Sequence, residues 1–260
     1  MDVRLDGKRA LITGASRGLG LAMAKKFASS GGDVAICARR SDVLEEARAE
    51  IEAVAEARVA AYRCDVSDAA AINDLYRLFV GDFGQLDILV NNAGTSIRGP
   101  FETLTDEIWR EDFDLKLFAA IRLARLALPG MKERRWGRIL NILNTGAKAP
   151  PAEGAPTAVT RAAGMALTKV LAGEGGPHGV LVNALLTGYF VTEQWQRRHA
   201  RDPKGKTFEE FVVEMGNLVP VGRMGDPEEY ANIACFLASD AASYITGTAI
   251  NVDGGRCPVV

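Results

Sequence analysis

The sequence predicts an α/β protein with a parallel sheet covered by helices on both faces. Strand and helix signals alternate along the whole chain, which is the pattern of such sheets. Residues 86–90 are nearly all apolar, as expected of a strand buried on both faces. No linker or internal repeat interrupts the 260 residues, so we predict a single domain over 1–260.

Seven strands and several helices are predicted in order. The strands are expected at residues 10–12, 33–38, 59–63, 86–90, 138–143, 180–186 and 249–252. The helices are expected after residue 18, from a cap at Ser41, after residue 67 to 83, over 106–128 ahead of Pro129, over 157–173, and from a cap at Asp226. Residues 189–220 are polar and weakly periodic, which fits a surface insertion, but their place after the carboxyl end of a strand favours a lid over a ligand crevice.

The organising stretch is residues 10–20, ALITGASRGLG. It predicts a buried strand, a glycine-rich turn and then an amphipathic helix. Glycine permits a tight turn and close approach of a ligand, and the helix start offers free N–H groups and a positive dipole end. A strand before the turn and a helix after it distinguish a dinucleotide pyrophosphate site from a plain turn.

Composition and charge exclude several classes of function. The net charge of −2 and pI of about 5.8 argue against nucleic acid or an anionic membrane surface as a partner. We find neither an apolar leader nor a membrane-length apolar run. Four separated cysteines favour a reduced, cytoplasmic protein, and two histidines make a metal site improbable.

The chain resembles the short-chain dehydrogenase/reductase family over nearly its whole length. The matching motifs are residues 13–20, Asp65-Val66, residues 91–94 (NNAG), 182–184 (VNA), 245–247 (ITG) and 253–255 (DGG). The resemblance implies a seven-stranded parallel sheet of order 3-2-1-4-5-6-7 that binds NAD or NADP at the carboxyl ends of its strands. It also implies a homodimer or homotetramer that pairs through helices 106–128 and 157–173.

The cofactor is expected to be NADP(H) rather than NAD(H). The second strand ends at Ala38 and is followed by Arg39 and Arg40, where NAD-preferring folds carry an acidic residue. Together with Arg17 these guanidinium groups suit a phosphate. The alternative is that Arg39 and Arg40 are only solvated residues at a helix cap, which fits Arg40 better than Arg39. The turn residues Gly14, Ser16, Arg17, Gly18, Leu19 and Gly20 are expected to hold the pyrophosphate. The resemblance adds Asp65, Val66, Asn91, Ala93, Gly94, Arg161 and Thr192 as cofactor contacts.

The resemblance also points to four catalytic positions, and all four are substituted. The family uses an Asn-Ser-Tyr-Lys set, in which the tyrosine is the acid/base. Our alignment places Asp114, Asn144, Thr157 and Arg161 at these positions. An aliphatic hydroxyl is a far weaker acid than a phenol, whose pKa is about 10, and a positioned acid/base typically supplies about 10²–10⁴ in rate.

Two of the substitutions suggest a compensating pair. We hypothesise a salt bridge between Asp114 and Arg161, with both groups facing water or cofactor as the alternative. Lys116, Lys148, Glu153 and Tyr189 are further acid/base candidates, each more easily explained by packing or solvation.

Three functions remain open from the sequence. The first is an NADP-dependent oxidoreductase with an altered acid/base. The second is a non-redox enzyme, such as a lyase or decarboxylase, on the same scaffold. The third is a catalytically silent NADP-binding protein.

Overall fold

The computed structural model describes residues 3–201 and 205–260. Seven strands form one sheet in which every neighbouring pair is parallel, in the order β3-β2-β1-β4-β5-β6-β7. The strand order expected from the resemblance is therefore confirmed. The strands are β1 Arg9–Thr13, β2 Asp33–Ala38, β3 Val59–Arg63, β4 Ile88–Asn91, β5 Gly137–Asn144, β6 Val180–Thr187 and β7 Ala249–Val252.

Helices cover both faces of the sheet. They are α1 Gly18–Ser29, α2 Ser41–Glu52, α3 Ala69–Phe83, α4 Asp106–Phe113, α5 Ala119–Glu133, α6 Thr157–Gly175, α7 Glu193–Arg201, α8 Phe208–Gly216 and α9 Pro227–Ala238. Side chains of β1 alternate between the two cores, because Ala10 and Ile12 pack with α1 and α9 while Leu11 packs with α3 and α5. Within the described ranges, no helix is long and apolar enough to cross a membrane.

The predicted helix over 106–128 is interrupted and longer than expected. A π-helical turn, Asp114–Phe118, separates α4 from α5, and the Ala119 N–H bonds to the Asp114 carbonyl five residues back. Pro129 lies inside α5 rather than after its end. The helix continues past the proline because Met131, which is fully buried, packs in the core under the sheet.

The cap predicted at Ser41 is wrong. Arg40 is the N-cap of α2 and makes no side-chain cap bond, while Ser41 is the first helical residue. Asp226 does precede α9, where its N–H donates to the Glu229 carboxylate (2.9 Å).

The segment predicted as a lid contains two short helices, α7 and α8, after β6. Their aromatic side chains pack together, with Trp195 at 4.7 Å from Tyr189 and 6.0 Å from Phe211 between ring centroids. This small apolar contact holds the segment at the carboxyl end of β6. Residues 202–204 of the predicted lid lie outside the described residues.

Candidate functional site

The glycine-rich turn packs directly against the loop that follows β4. A Cβ on Gly14 would lie 2.7 Å from the Ala93 Cα, and the φ of Gly14 is +62°. The Thr13 hydroxyl accepts hydrogen bonds from the Asn92 and Ala93 N–H groups, both at 3.0 Å. The Asn92 amide in turn donates to the Thr13 and Gly14 carbonyls. The predicted turn and the 91–94 motif therefore form one rigid corner.

The N-terminus of α1 opens at this corner. Arg17 is the N-cap and makes no side-chain cap bond, and the first turn contains no acidic residue. Gly18, with φ +56°, faces the Thr192 side chain at 3.7 Å from an added Cβ. A pyrophosphate fits here, because uncapped N–H groups and a positive dipole end suit an anion. Ser16 lies in the turn, and Leu19 and Gly20 lie in the first turn of α1.

Two exposed arginines, Arg39 and Arg40, follow the carboxyl end of β2. Arg39 is exposed and, in the part of the chain that the structure describes, forms no ion pair. Its carbonyl accepts from Arg63 Nε at 3.2 Å. Arg17, in contrast, forms an ion pair with Glu193 of α7. Arg39 is thus the freer of the two guanidinium groups predicted to contact a phosphate.

The remaining predicted cofactor residues line the ends of β3 and β4. The Asp65 carboxylate accepts from the Ser67 N–H and hydroxyl, at 3.0 and 2.7 Å. The Val66 side chain is buried in the core, so that only its backbone can border a ligand. Asn91 donates to Asn141 Oδ1 on β5 (2.9 Å), and Gly94 is exposed.

Three of the predicted catalytic residues lie at the carboxyl end of β5 and in the first turns of α6. Asn144 is the last residue of β5, Thr157 is the first of α6, and Arg161 follows one turn later. The Thr157 side chain is buried, with the residue only 3% exposed. Its hydroxyl accepts from the Ile97 N–H (3.1 Å) and from Lys116 Nζ (2.9 Å).

The hypothesised salt bridge between Asp114 and Arg161 is wrong. The Asp114 carboxylate instead binds Arg122 (3.1 Å), on the side of α5 that reaches the Ser67 carbonyl. Arg161 donates from a terminal nitrogen to the Ile142 carbonyl (2.5 Å). Burial lowers the pKa of Arg161. Asp114 therefore lies away from the other predicted catalytic residues.

Lys116, and not Asp114, contacts Thr157. Its side chain is 5% exposed and forms an ion pair with the fully buried Asp112 carboxylate, which also accepts from the Thr160 hydroxyl (2.7 Å). Burial lowers the pKa of Lys116 to about 8, and the nearby Arg161 charge adds to this. The i, i+4 spacing of Asp112 and Lys116 in the sequence is compatible with an ion pair between them. The direction in which this pair points depends on the π-helical turn.

The other three acid/base candidates do not join this cluster. Tyr189 packs on Trp195 and under the Arg256 guanidinium, 4.1 Å from its ring centroid. Glu153 is exposed, and Lys148 follows a short 3₁₀ turn after Asn144.

A small cavity of about 20 Å³, roughly one water molecule, lies beside the cluster. Lys116, Asn141 and Arg161 are among the residues that line it. Arg161 Nε and Asn144 Oδ1 are buried without a hydrogen-bond partner in the described residues. Buried polar atoms normally have a hydrogen-bond partner. A water or a bound molecule in this region would supply partners for these two atoms.

The chain is similar to a known reductase family and to several dehydrogenases and reductases. Residues 14–256 match a family model described as enoyl-(acyl carrier protein) reductase. Gluconate 5-dehydrogenase of Gluconobacter oxydans (strain 621H) is 36% identical over 252 residues, which is 96% of this chain and 95% of that protein. D-beta-hydroxybutyrate dehydrogenase of Cupriavidus necator is 35% identical over 258 residues, 96% of this chain and 98% of that protein.

A solved structure agrees over the full length. The crystal structure of L-sorbose reductase from Gluconobacter frateurii, complexed with NADPH and L-sorbose, superposes with a TM-score of 0.96 at 34% identity and covers 100% of both chains.

Proposed function

This chain belongs to the short-chain dehydrogenase/reductase family, and we propose that it binds NADP(H) and reduces a carbonyl substrate, or oxidises the matching alcohol, with an altered proton-handling group. The observation that carries this proposal is the intact corner formed by the glycine-rich turn, the open N-terminus of α1 and residues 91–94.

The preference for NADP(H) over NAD(H) is supported by charge. Arg39 follows β2 and is exposed, and it forms no salt bridge with a described carboxylate, although the Asp65 charge lies close enough to interact with it. Its guanidinium group can therefore donate to a 2′-phosphate. A similar chain of known structure holds NADPH. Arg17 reaches the same corner and can contribute only if Glu193 releases it.

Hydride transfer needs a group that holds the substrate oxygen. When bound, the reduced nicotinamide supplies the hydride. Asn144, at the end of β5, can donate its amide to a carbonyl oxygen. Arg161 keeps a positive charge beneath Gly94, whose added Cβ would lie 3.0 Å from a terminal nitrogen of Arg161. We propose that Asn144, Thr157 and Arg161 replace the family's serine, tyrosine and lysine.

A second candidate is a catalytically silent NADP(H)-binding protein. It is favoured by the burial of Thr157, because a hydroxyl with 3% residue exposure offers little surface to a substrate. A non-redox activity on the same scaffold has no comparable support.

We further propose that the protein assembles as a homodimer or homotetramer through α4–α5 and α6. Phe118, Val159 and Val170 on these helices are 44%, 46% and 57% exposed, and exposed apolar side chains on adjacent helices are typical of interfaces. Light scattering after gel filtration tests this, and Phe118→Glu with Val170→Glu should give monomers.

The test of the proposed function combines binding with turnover. NADPH and NADH are titrated by fluorescence, and absorbance at the reduced-nicotinamide band is then followed with a panel of ketoses, β-keto thioesters and hydroxy acids. Tight NADPH binding with slow turnover supports the reductase. Binding without turnover indicates the silent protein, and no binding contradicts both.

A rebuilt variant sharpens the same test. Thr157→Tyr with Arg161→Lys restores the family's acid/base pair, but Lys116 Nζ lies only 2.9 Å from Thr157 Oγ1 and crowds a larger ring. We therefore expect Lys116→Asn to be needed as a third change. The triple variant should gain about 10²-fold or more in turnover, whereas the double variant should gain less.

A further inference from the structure

We propose that Lys116 is the proton reservoir of this site and that the Thr157 hydroxyl passes its proton to the substrate oxygen. The inference rests on the proposed reductase activity. It assigns a proton source to a site in which the phenol is replaced.

The backbone turns Lys116 toward the site. The π-helical turn Asp114–Phe118 adds a residue to one helical turn, and such bulges frequently occur at functional sites. As a result Asp114 faces Arg122 while Lys116 reaches Thr157. The methylene stem of Lys116 also lies beneath Gly94, at 3.6 Å from an added Cβ. Lys116 therefore sits between the predicted cofactor loop and the start of α6.

The ammonium group is held in a fixed position. Asp112 binds it, and the other oxygen of this carboxylate is bound by Thr160 of α6. All three side chains are buried. A buried amine that is fixed by a carboxylate and points at a hydroxyl has the geometry that proton transfer needs, because its donor distance is 2.9 Å.

The hydrogen bonds of Thr157 leave its own proton available. A hydroxyl has two lone pairs and one O–H. The N–H of Ile97 and the ammonium of Lys116 occupy both lone pairs, and in the described part of the chain the hydroxyl donates to no protein group. Its proton must therefore point away from these two donors.

The proposed step is balanced as follows. The carbonyl carbon receives the hydride, and the C=O π electrons become a lone pair on oxygen. This oxygen takes the proton of Thr157 Oγ1, which in the same step takes a proton from Lys116 Nζ. The neutral amine regains its proton from solvent, and the cavity beside Lys116 has room for one water molecule to carry it.

The charges around Lys116 suit this role. Asp112 on α4 favours the ammonium form, while Arg161 on α6 and burial disfavour it, and the resulting pKa is about 8. A proton source functions best when its pKa lies near the working pH. An ordinary exposed lysine, with a pKa near 10.4, releases its proton far less readily.

The experiment compares pH profiles of turnover with NADPH for four variants. Lys116→Met removes the reservoir, and Lys132→Met, on the remote end of α5, is the matched control. Thr157→Val removes the relay hydroxyl, and Thr157→Ser retains it. We expect the unmodified protein to lose turnover above a pKa near 8. Lys116→Met should abolish this alkaline limb and lower kcat by about 10²-fold. Thr157→Ser should retain the limb, and Thr157→Val should behave like Lys116→Met.

A second readout needs no substrate. Lysine labelled with ¹³C at Cε gives an NMR signal that is assigned by its absence in Lys116→Met, and it should titrate near pH 8 in the NADP⁺ complex. NADPH affinity and melting temperature of each variant identify any that fails to fold or bind.

The outcomes separate the two proposals. Loss of NADPH binding in the unmodified protein, or binding without any turnover, contradicts the reductase and the relay with it. Turnover whose alkaline limb persists in Lys116→Met leaves the reductase standing and overturns the relay. A Lys116 NMR signal that titrates above pH 10 likewise overturns the relay and leaves the reductase proposal unaffected.

Discussion

The Arg17 guanidinium on the glycine-rich turn forms an ion pair with the Glu193 carboxylate at the first residue of α7. The contact joins the predicted cofactor corner to the segment after β6, across 176 residues of chain. Both side chains are more than a third exposed. Such a pair is weak, typically about 0–1 kcal/mol, and a bound phosphate can compete with Glu193 for Arg17.

Removing the Glu193 charge should therefore strengthen NADPH binding. We expect Glu193→Gln to lower the Kd for NADPH by about 2- to 5-fold, the range that 0.4–1 kcal/mol corresponds to, and to change the Kd for NADH less. Fluorescence titration measures both. The control is Gln194→Glu, which changes the charge by one unit at the neighbouring exposed residue. An equal gain for NADH and NADPH would argue against a role for the 2′-phosphate.

Arg39 should decide which cofactor is preferred. Arg39→Asp replaces a phosphate donor by a carboxylate that can accept from a ribose 2′-hydroxyl. We expect NADPH binding to weaken by about 10- to 100-fold, as for loss of a charged hydrogen bond worth about 1.5–3 kcal/mol, while NADH binding improves. Arg40→Asp is the matched control at the adjacent exposed residue. An unchanged NADPH/NADH ratio in Arg39→Asp would contradict the NADP(H) assignment.

Gly14 should be intolerant of any side chain. Its φ of +62° and the 2.7 Å approach of an added Cβ to the Ala93 Cα both oppose alanine. Gly14→Ala should lower the free energy of unfolding by about 2–4 kcal/mol from strain and overpacking, and weaken NADPH binding. Gly81 in α3 has no atom within 4 Å of an added Cβ. Gly81→Ala should raise stability by about 0.5–1 kcal/mol, and urea denaturation compares the two.

Lys116 should make stability depend on alkaline pH. Its pKa is about 8 in the folded protein against 10.5 in the free side chain. Between these values the unfolded chain binds a proton that the folded chain lacks, so the free energy of unfolding rises with pH. The free energy of unfolding rises by up to about 1.4 kcal/mol per pH unit. The rise is complete only above the pKa of Lys116 in the unfolded chain.

The measurement is urea denaturation at pH 7.5, 8.5 and 9.5, with Lys116→Met as the reference. Other lysines and tyrosines contribute equally to both proteins and cancel in the difference. The unmodified protein should gain on the variant as pH rises. A difference that stays flat would show that the Lys116 pKa is not lowered.

The sequence by local signals predicted the strands and helices in chain order and the glycine-rich turn, whereas the order of the strands within the sheet came from the family resemblance. The local signals suffice for the strands because alternation in β1 separates Leu11 from Ala10 and Ile12 wherever the strand packs. Gly14 and Gly18 likewise need their positive φ for reasons that lie within the turn.

Which side chains lie next to Thr157 depends on the tertiary structure. The π-helical turn rotates the helix beyond Phe113, so that Lys116 rather than Asp114 meets Thr157. Motif spacing assumes a regular helix of 3.6 residues per turn, and one added residue changes the direction of every side chain that follows. The burial of Thr157 depends in the same way on Ile97 and Lys116, which approach it from distant parts of the chain.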